Sequence, residues 1–259
     1  MTALMDLRLG KLAVKHDKRT LQIQTILKMK ELPPIPQAYD CDTALPDTIP
    51  LLIFANDKWG DCVIAARANQ TLRLECFEQK KVITISDSNV LNEYWKEQGT
   101  SCWRKHPDNG LNILNSLKAW HKGWKAAGQT YNIYAFGEVT SLNHREVTAA
   151  IYLLTGAIAG LQLPVSAQSQ FESGQPWDIT SGPGANPGSW GGHCIYLPAY
   201  NDIGPICETW AKKQQMTWAF WDRYNDECWG IVDDRDRFVS NSPVDVSLLD
   251  QLLKEIESM

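Results

Sequence analysis

The first apolar positions with helical spacing are Leu21, Ile23, Ile26 and Leu27, in a basic extension that Pro33-Pro34 must end. The Pro-rich stretch "PPIPQAYDCDTALPDTIPLL" then reads as extended chain lying along a surface. From Asp61 the pattern turns helical. Ile64, Ala65, Ala68, Leu72 and Cys76 share one face, and the small residues near its start suit a central helix packed closely on both sides. "VITIS" is a short β-like run, after which Ser86 or Asp87 caps a helix carrying Val90, Leu91, Tyr94 and Trp95. "NILNSLKAWHKGWKAAG" predicts another helix, closed by Gly128 at its C-terminus.

Beyond residue 128 the period shortens. "YNIYAFGEV" alternates like a strand, "SLNHREVTAAIYLL" predicts a helix capped by Ser141, and "AIAGLQLP" and "HCIYLPAYN" read as buried strands. "PICETWAKKQQMTWAFWDRYNDECWGIVDD" holds two further strand-like pieces around a Trp-rich stretch, and the tail from Ser242 is an amphipathic helix. The expectation is an α+β fold in which an N-terminal extension (1–34) precedes a helical lobe (35–130) and a β-rich lobe (131–259). A Gly/Pro loop, "SGPGANPGSWGG", interrupts the β-rich half at residues 181–192 and is of the kind that carries function.

Composition narrows the classes. The chain has 259 residues, and with 44% hydrophobic and 21% charged residues it is an ordinary globular protein. A net charge of −5 without a basic run argues against nucleic-acid binding. No apolar run approaches a membrane span and the N-terminus has no signal-peptide pattern, so a cytoplasmic protein with free thiols is expected. None of the seven cysteines forms a C-x-x-C pair and no nucleotide-binding loop is present, so neither metal nor cofactor is expected.

Cys62 is the first chemical candidate. It opens the predicted central helix, whose N-terminal N–H groups and dipole favour a thiolate. Gly60 lets the backbone turn sharply just before it. Asn56, six residues upstream, is a candidate amide donor to an oxyanion beside the Cys62 N–H. Of five histidines, His16, His106, His121 and His144 sit in polar surroundings, whereas His193 opens an apolar strand behind the Gly-rich loop, a fitting place for a general base. Glu208, on the next strand-like piece, is the candidate that orients the imidazole. Trp59, Gly60, Trp190, Gly191, Gly192 and Trp210 flank these residues and are candidates to line the cleft.

In order, "GDC" at a helix start, "GGHCIYLPAY" and "ETWAKKQQMTWAFW" resemble the papain-like cysteine peptidases. "IPQAYDCDTA" is similar to the start of a mature chain of that family, and the resemblance runs from about residue 35 to 235. It implies a papain-like fold, in which a central nucleophile helix lies in a helical lobe against an antiparallel, barrel-like β lobe. It also implies a Cys62–His193–Glu208 triad in which Trp210 shields the imidazole. The chain departs from the family at three places. Asn56 replaces a glutamine, the cysteine neighbouring the nucleophile is missing, and the family's Asn-Ser-Trp-Gly becomes Glu208-Thr209-Trp210-Ala211. A carboxylate in that place is expected to raise the His193 pKa. The extension is shorter than a usual propeptide.

"NDKWGDC" and "TWAKKQQMTWAFW" further resemble a bacterial group of papain-like proteins that includes the amide synthase of closthioamide assembly. That resemblance implies acyl transfer from a thioester, held on a carrier protein, through Cys62 to an amine, with Glu208, Asp222 and Asp226 as acidic residues that could hold a cationic acceptor. Hydrolysis of peptide or amide bonds is the alternative reaction, and an inactive binding module a remote third.

Overall fold

The computed structural model describes residues 7–28, 32–99, 108–238 and 244–257; Cys102 and His106 lie outside them. Its centre is an eight-stranded, mainly antiparallel sheet. Leu21–Gln22 lies at one edge, parallel to Ala135–Glu138, followed by Asn225–Val232, Ala157–Leu163, Gly191–Tyr200, Pro205–Thr209 and Lys212–Gln215, while Tyr39–Asp40 adds to Gly191–Tyr200. The α+β arrangement is the one expected. The extension, however, is not set apart: Leu21–Gln22 joins the sheet, and Ile23, Ile26 and Leu27 are core residues.

Period-two alternation makes the sheet two-faced. Cys194 and Tyr196 point into a core shared with the Cys62–Gln79 helix, and Ile195 and Leu197 into a second core with the His144–Leu153 helix, Trp177 and Trp221. The Cys62–Gln79 helix is buried without a break from Cys62 to Leu74, including Arg67, Asn69, Gln70 and Arg73. Each of these finds a partner. Arg67 reaches Glu97 and Ser116, Asn69 donates to the Leu52 carbonyl, Gln70 reaches the Gly156 carbonyl, and Arg73 meets Asp42 and Glu208. Buried polar groups need such partners, so this pattern fixes the helix in one rotation.

Several local expectations are corrected. The Ile113–Lys122 helix ends at Gly123, whose φ of 97° no side-chain-bearing residue adopts easily. Gly128 instead lies in the turn of a hairpin, Trp124–Ala126 with Gln129–Tyr131. The His144–Leu153 helix is capped by Asn143, whose side chain accepts from Glu146 N, not by Ser141. Residues 82–86 join no ladder among the described residues, whereas Ser86 does cap Asp87–Glu97, in a capping box with Asn89. A helix unforeseen in the Trp-rich stretch, Trp218–Tyr224, starts at Thr217. Among the described residues no helix is long and apolar enough to cross a membrane.

One irregularity lies beside the site. Tyr196 pairs with Glu208, but Ala199 pairs with Ile206, so the Gly191–Tyr200 strand carries one extra residue between them, at Leu197-Pro198. Proline lacks the N–H a ladder needs and is at home in a bulge.

Candidate functional site

Cys62 stands at the first position of its helix, which points its N-terminus at the sheet. The loop before it is strained: Phe54 and Ala55 both have positive φ, 54° and 67°. Asn56 is buried, and its side-chain amide donates to the Trp59 carbonyl (2.9 Å) and to Asp61 Oδ1 (3.0 Å). Both amide hydrogens are therefore spent on shaping the loop, which separates Asn56 from the oxyanion role expected of it. The residue it braces, Asp61, is fully buried, and burial pushes its carboxyl up to about 8. Asp61 Oδ2 has no hydrogen-bond partner among the described residues.

The His193 strand meets the helix start directly. The backbone N–H of Cys194 donates to Cys62 Sγ at 3.4 Å. His193 is wholly buried and stacks on Trp210, with ring centroids 4.2 Å apart and planes at 14°. Its Nε2 lies 2.6 Å from Thr209 Oγ1, and its Nδ1 has no hydrogen-bond partner among the described residues. Glu208 is not brought to His193. Alternation along Pro205–Thr209 sends Cys207 and Thr209 to one face and Glu208 to the other, where it lies 2.7 Å from Arg73, with both side chains buried. Arg73 also sits over the Tyr196 ring and contacts Asp42. Burial pushes the Glu208 carboxyl up to about 7 despite Arg73. Thr209 is the residue the sequence reading missed. The parity of "PICET" could have signalled it, had the pairing register been known.

Trp210 owes its position to the tight turn between Pro205–Thr209 and Lys212–Gln215. Thr209 pairs with Lys212, so the two-residue loop is Trp210-Ala211, with φ of 46° and 59°. Two consecutive left-handed residues are what a type I′ hairpin requires. Without glycine this costs about 1–2 kcal/mol per residue; contacts of the Trp210 ring with His193, Phe171 and Trp190 offset it.

The groove beside Cys62 is filled by the chain's own N-terminal segment. Arg8 N donates to Asn56 O, Lys11 N to Gly192 O and Leu12 N to Leu111 O, while Gly10 O accepts from Leu111 N. The fit is so close that a Cβ on Gly10 would lie 1.8 Å from Gly60 O, one on Gly110 2.1 Å from Gly10 O, and one on Gly192 2.3 Å from Lys11 O. Gly60, Gly191 and Gly192 thus line a groove that accepts backbone. Trp59 and Trp190 stand at its sides, half-buried, Trp59 edge-on to Trp95. Short as the extension is, it covers the site, and Cys62 is only 1% exposed. Burial pushes the Cys62 thiol up to about 12, and burial pushes the His193 imidazole down to about 3. The expected rise at His193 is absent because its partner is a neutral hydroxyl. In this closed state both groups are neutral.

The other described histidines have structural partners or face solvent. His121 Nδ1 contacts Ile133 O, His144 pairs with Asp222 and stacks on Trp218, and His16 is exposed. The six described cysteines are free thiols. Asp40, Cys41 and Asp42 could present three ligand atoms to a metal, but Lys213 and Arg73 already hold the two carboxylates.

Asp61 supplies a pH test. Its folded-state pKa lies above the ordinary value of 3.8, so between about pH 4 and pH 8 the native state holds a proton that the unfolded chain releases. Stability from this group therefore falls as pH rises through that window, with a limiting slope of about 1.4 kcal/mol per unit. Asp61→Asn keeps an acceptor for Asn56 and removes the titration. Urea unfolding at pH 5 and pH 8 should show the variant losing less stability than the native sequence; equal losses would contradict a buried neutral Asp61.

No family model and no curated protein matches this chain. Among solved structures it is similar in fold to xylellain, a cysteine protease from Xylella fastidiosa. The TM-score is 0.69 over 90% of this chain and 99% of that one, at 14% identity. Procathepsin B S9 from Trypanosoma congolense aligns with TM-score 0.58 over 90% and 88% of the two chains, at 9% identity. The Carica candamarcensis cysteine protease CMS1MS2 gives 0.55 over 77% and 100%, at 12% identity. The fold is that of the papain-like cysteine proteases.

Proposed function

We propose that this chain is a papain-like thiol enzyme that makes amide bonds, passing an acyl group from a thioester, held on a carrier protein, through Cys62 to an amine in bacterial peptide natural-product (antibiotic) biosynthesis. The observation that carries thiol chemistry is the meeting of Cys62 Sγ, at a helix N-terminus, with the strand of a buried imidazole whose Nδ1 has no hydrogen-bond partner among the described residues. A proton on Nε2, donated to Thr209 Oγ1, is the tautomer that leaves the Nδ1 lone pair free. In the first step Nδ1 takes the Cys62 proton, Sγ adds to the thioester carbonyl, and the departing thiol leaves with that proton. In the second step an amine adds to the acyl-enzyme and gives its proton to Nδ1. The amide departs and the Cys62 thiol is restored. The Cys194 N–H, aimed at Sγ, favours the thiolate along the way.

A dry site favours amine over water as acceptor. His193 and Trp210 form a closed stack, and excluding water protects a thioester from hydrolysis. A cysteine peptidase or amidase would use the same groups with water as the final acceptor, and the similar solved structures support that second reading. Retention of both Cys62 and His193 speaks against an inactive binding module.

The test supplies an acyl thioester and a primary amine and follows products by mass spectrometry. An acyl adduct on Cys62 that partitions to the amide supports the reading. Partition to water alone transfers the enzyme to the peptidase class, and full activity in Cys62→Ala removes both.

A further inference from the structure

At the Leu21–Gln22 edge of the sheet lies a recess of about 530 Å³. Four stretches far apart in the sequence wall it. They are residues 17–21 of the extension, the last turns of Ile113–Lys122, the chain entering Ala135–Glu138, and the C-terminal helix Val246–Glu257. The floor is carbon. Leu21 and Phe136 come from the two strands, and Phe136 is held edge-on to Trp229 with ring centroids 6.0 Å apart. Leu253 and Ile256, three residues apart and so on one face of their helix, complete it. All four side chains are half-buried, so apolar surface that no described residue covers faces the recess.

The rim is cationic. Lys118 and Lys122 lie one turn apart on one helix face, and Lys254 comes from the C-terminal helix. Lysine stems cover apolar surface while their ammonium ends stay in water, so these residues prolong the carbon wall and charge its mouth. Two carboxylates also line the recess, and both are already engaged. Asp17 holds Arg19 at 2.8 Å and Lys118 at 2.6 Å, and Asp250 holds Arg235 at 2.7 Å together with the Tyr134 hydroxyl. Lys122 and Lys254 make no ion pair with a described residue. Positive charge is therefore in surplus at the mouth of an apolar cavity. The complementary ligand is an apolar tail that ends in an anion.

We propose that this recess binds a fatty carboxylate, its tail along Leu21, Phe136, Leu253 and Ile256 and its head at Lys122 and Lys254. The tail leaves water, and the head gains charge-assisted hydrogen bonds. The volume is that of a small-molecule site. None of these residues belongs to the groove at Cys62, so the site stands whichever acceptor that groove serves.

The experiment titrates the full chain calorimetrically with octanoate, 1-octanol and 1-aminooctane, each kept below the concentration at which it self-associates. Octanoate should saturate a single site, at least about tenfold tighter than either the alcohol or the amine. Hexanoate should bind at least about fivefold more weakly than octanoate, because two fewer methylenes are buried. The double variant Lys122→Glu, Lys254→Glu changes two exposed side chains and leaves the floor untouched. It should invert the order, so that 1-aminooctane binds best. Ile256→Asn should weaken octanoate and 1-octanol alike. Absence of saturable octanoate binding, equal binding of the three ligands, or indifference to chain length overturns the proposal. So does a preference for octanoate that survives the charge reversal, which places the bound anion elsewhere on the chain, and so does undiminished binding in Ile256→Asn.

Discussion

Gly10→Val should uncover Cys62. The new Cβ would fall within 2 Å of Gly60 O, so the segment cannot stay in the groove and its hydrogen bonds to Asn56, Leu111 and Gly192 are lost together. Alkylation of Cys62 by iodoacetamide should rise at least about tenfold, since losing even one hydrogen bond of about 1.4 kcal/mol corresponds to that factor. The returning water should also bring the thiol down from about 12 and the imidazole up from about 3, so the rate–pH profile of alkylation moves to lower pH. Circular dichroism reports whether the fold is kept. An unchanged alkylation rate in a folded variant would mean that the segment does not limit access.

Thr209→Val and Glu208→Gln should have opposite consequences. Valine removes the hydroxyl on His193 Nε2 without changing the shape of the side chain much, and kcat/KM should fall about tenfold, the worth of one hydrogen bond. Stability should change little beyond that one contact. Glu208→Gln leaves the imidazole alone and weakens a buried ion pair. Arg73 keeps Asp42 at 2.8 Å, so the loss of unfolding free energy should be moderate, about 1–3 kcal/mol, with kcat/KM nearly intact. Urea unfolding beside steady-state kinetics separates the two. A large kinetic loss in Glu208→Gln, with wild-type rates in Thr209→Val, would restore the carboxylate to the site.

These two residues mark the boundary of what was legible in the chain. The central helix was visible because small apolar residues recur around Cys62, and the strands at Ala157–Leu163 and Gly191–Tyr200 because their apolar runs are bounded by Gly and Pro. Cys62 and His193 could be picked out because each sits where a helix or strand begins. The partner of His193 could not, since which of two adjacent residues faces an imidazole depends on cross-strand pairing, and pairing is a property of the sheet. Asn56 was misjudged for a similar reason. Its amide has the right chemistry for an oxyanion, but Asp61, five residues on, competes for it once the loop closes. The covering segment was invisible because nothing in "LGKLAVK" announces a partner; the glycines that receive it are spread over more than a hundred residues.

The bulge at Leu197-Pro198 has a consequence for how such a site changes. Leu197 and Pro198 together stand opposite Cys207 alone, so Tyr196 is paired with Glu208 and Ala199 with Ile206 whether or not the extra residue is present. A single-residue deletion there would thus straighten the strand while keeping the hydroxyl on His193 and the carboxylate on Arg73. In lineages that share this sheet, a residue gained or lost near the proline can therefore be absorbed by the bulge without altering the protonation chemistry of the histidine, whereas a substitution at Thr209 cannot.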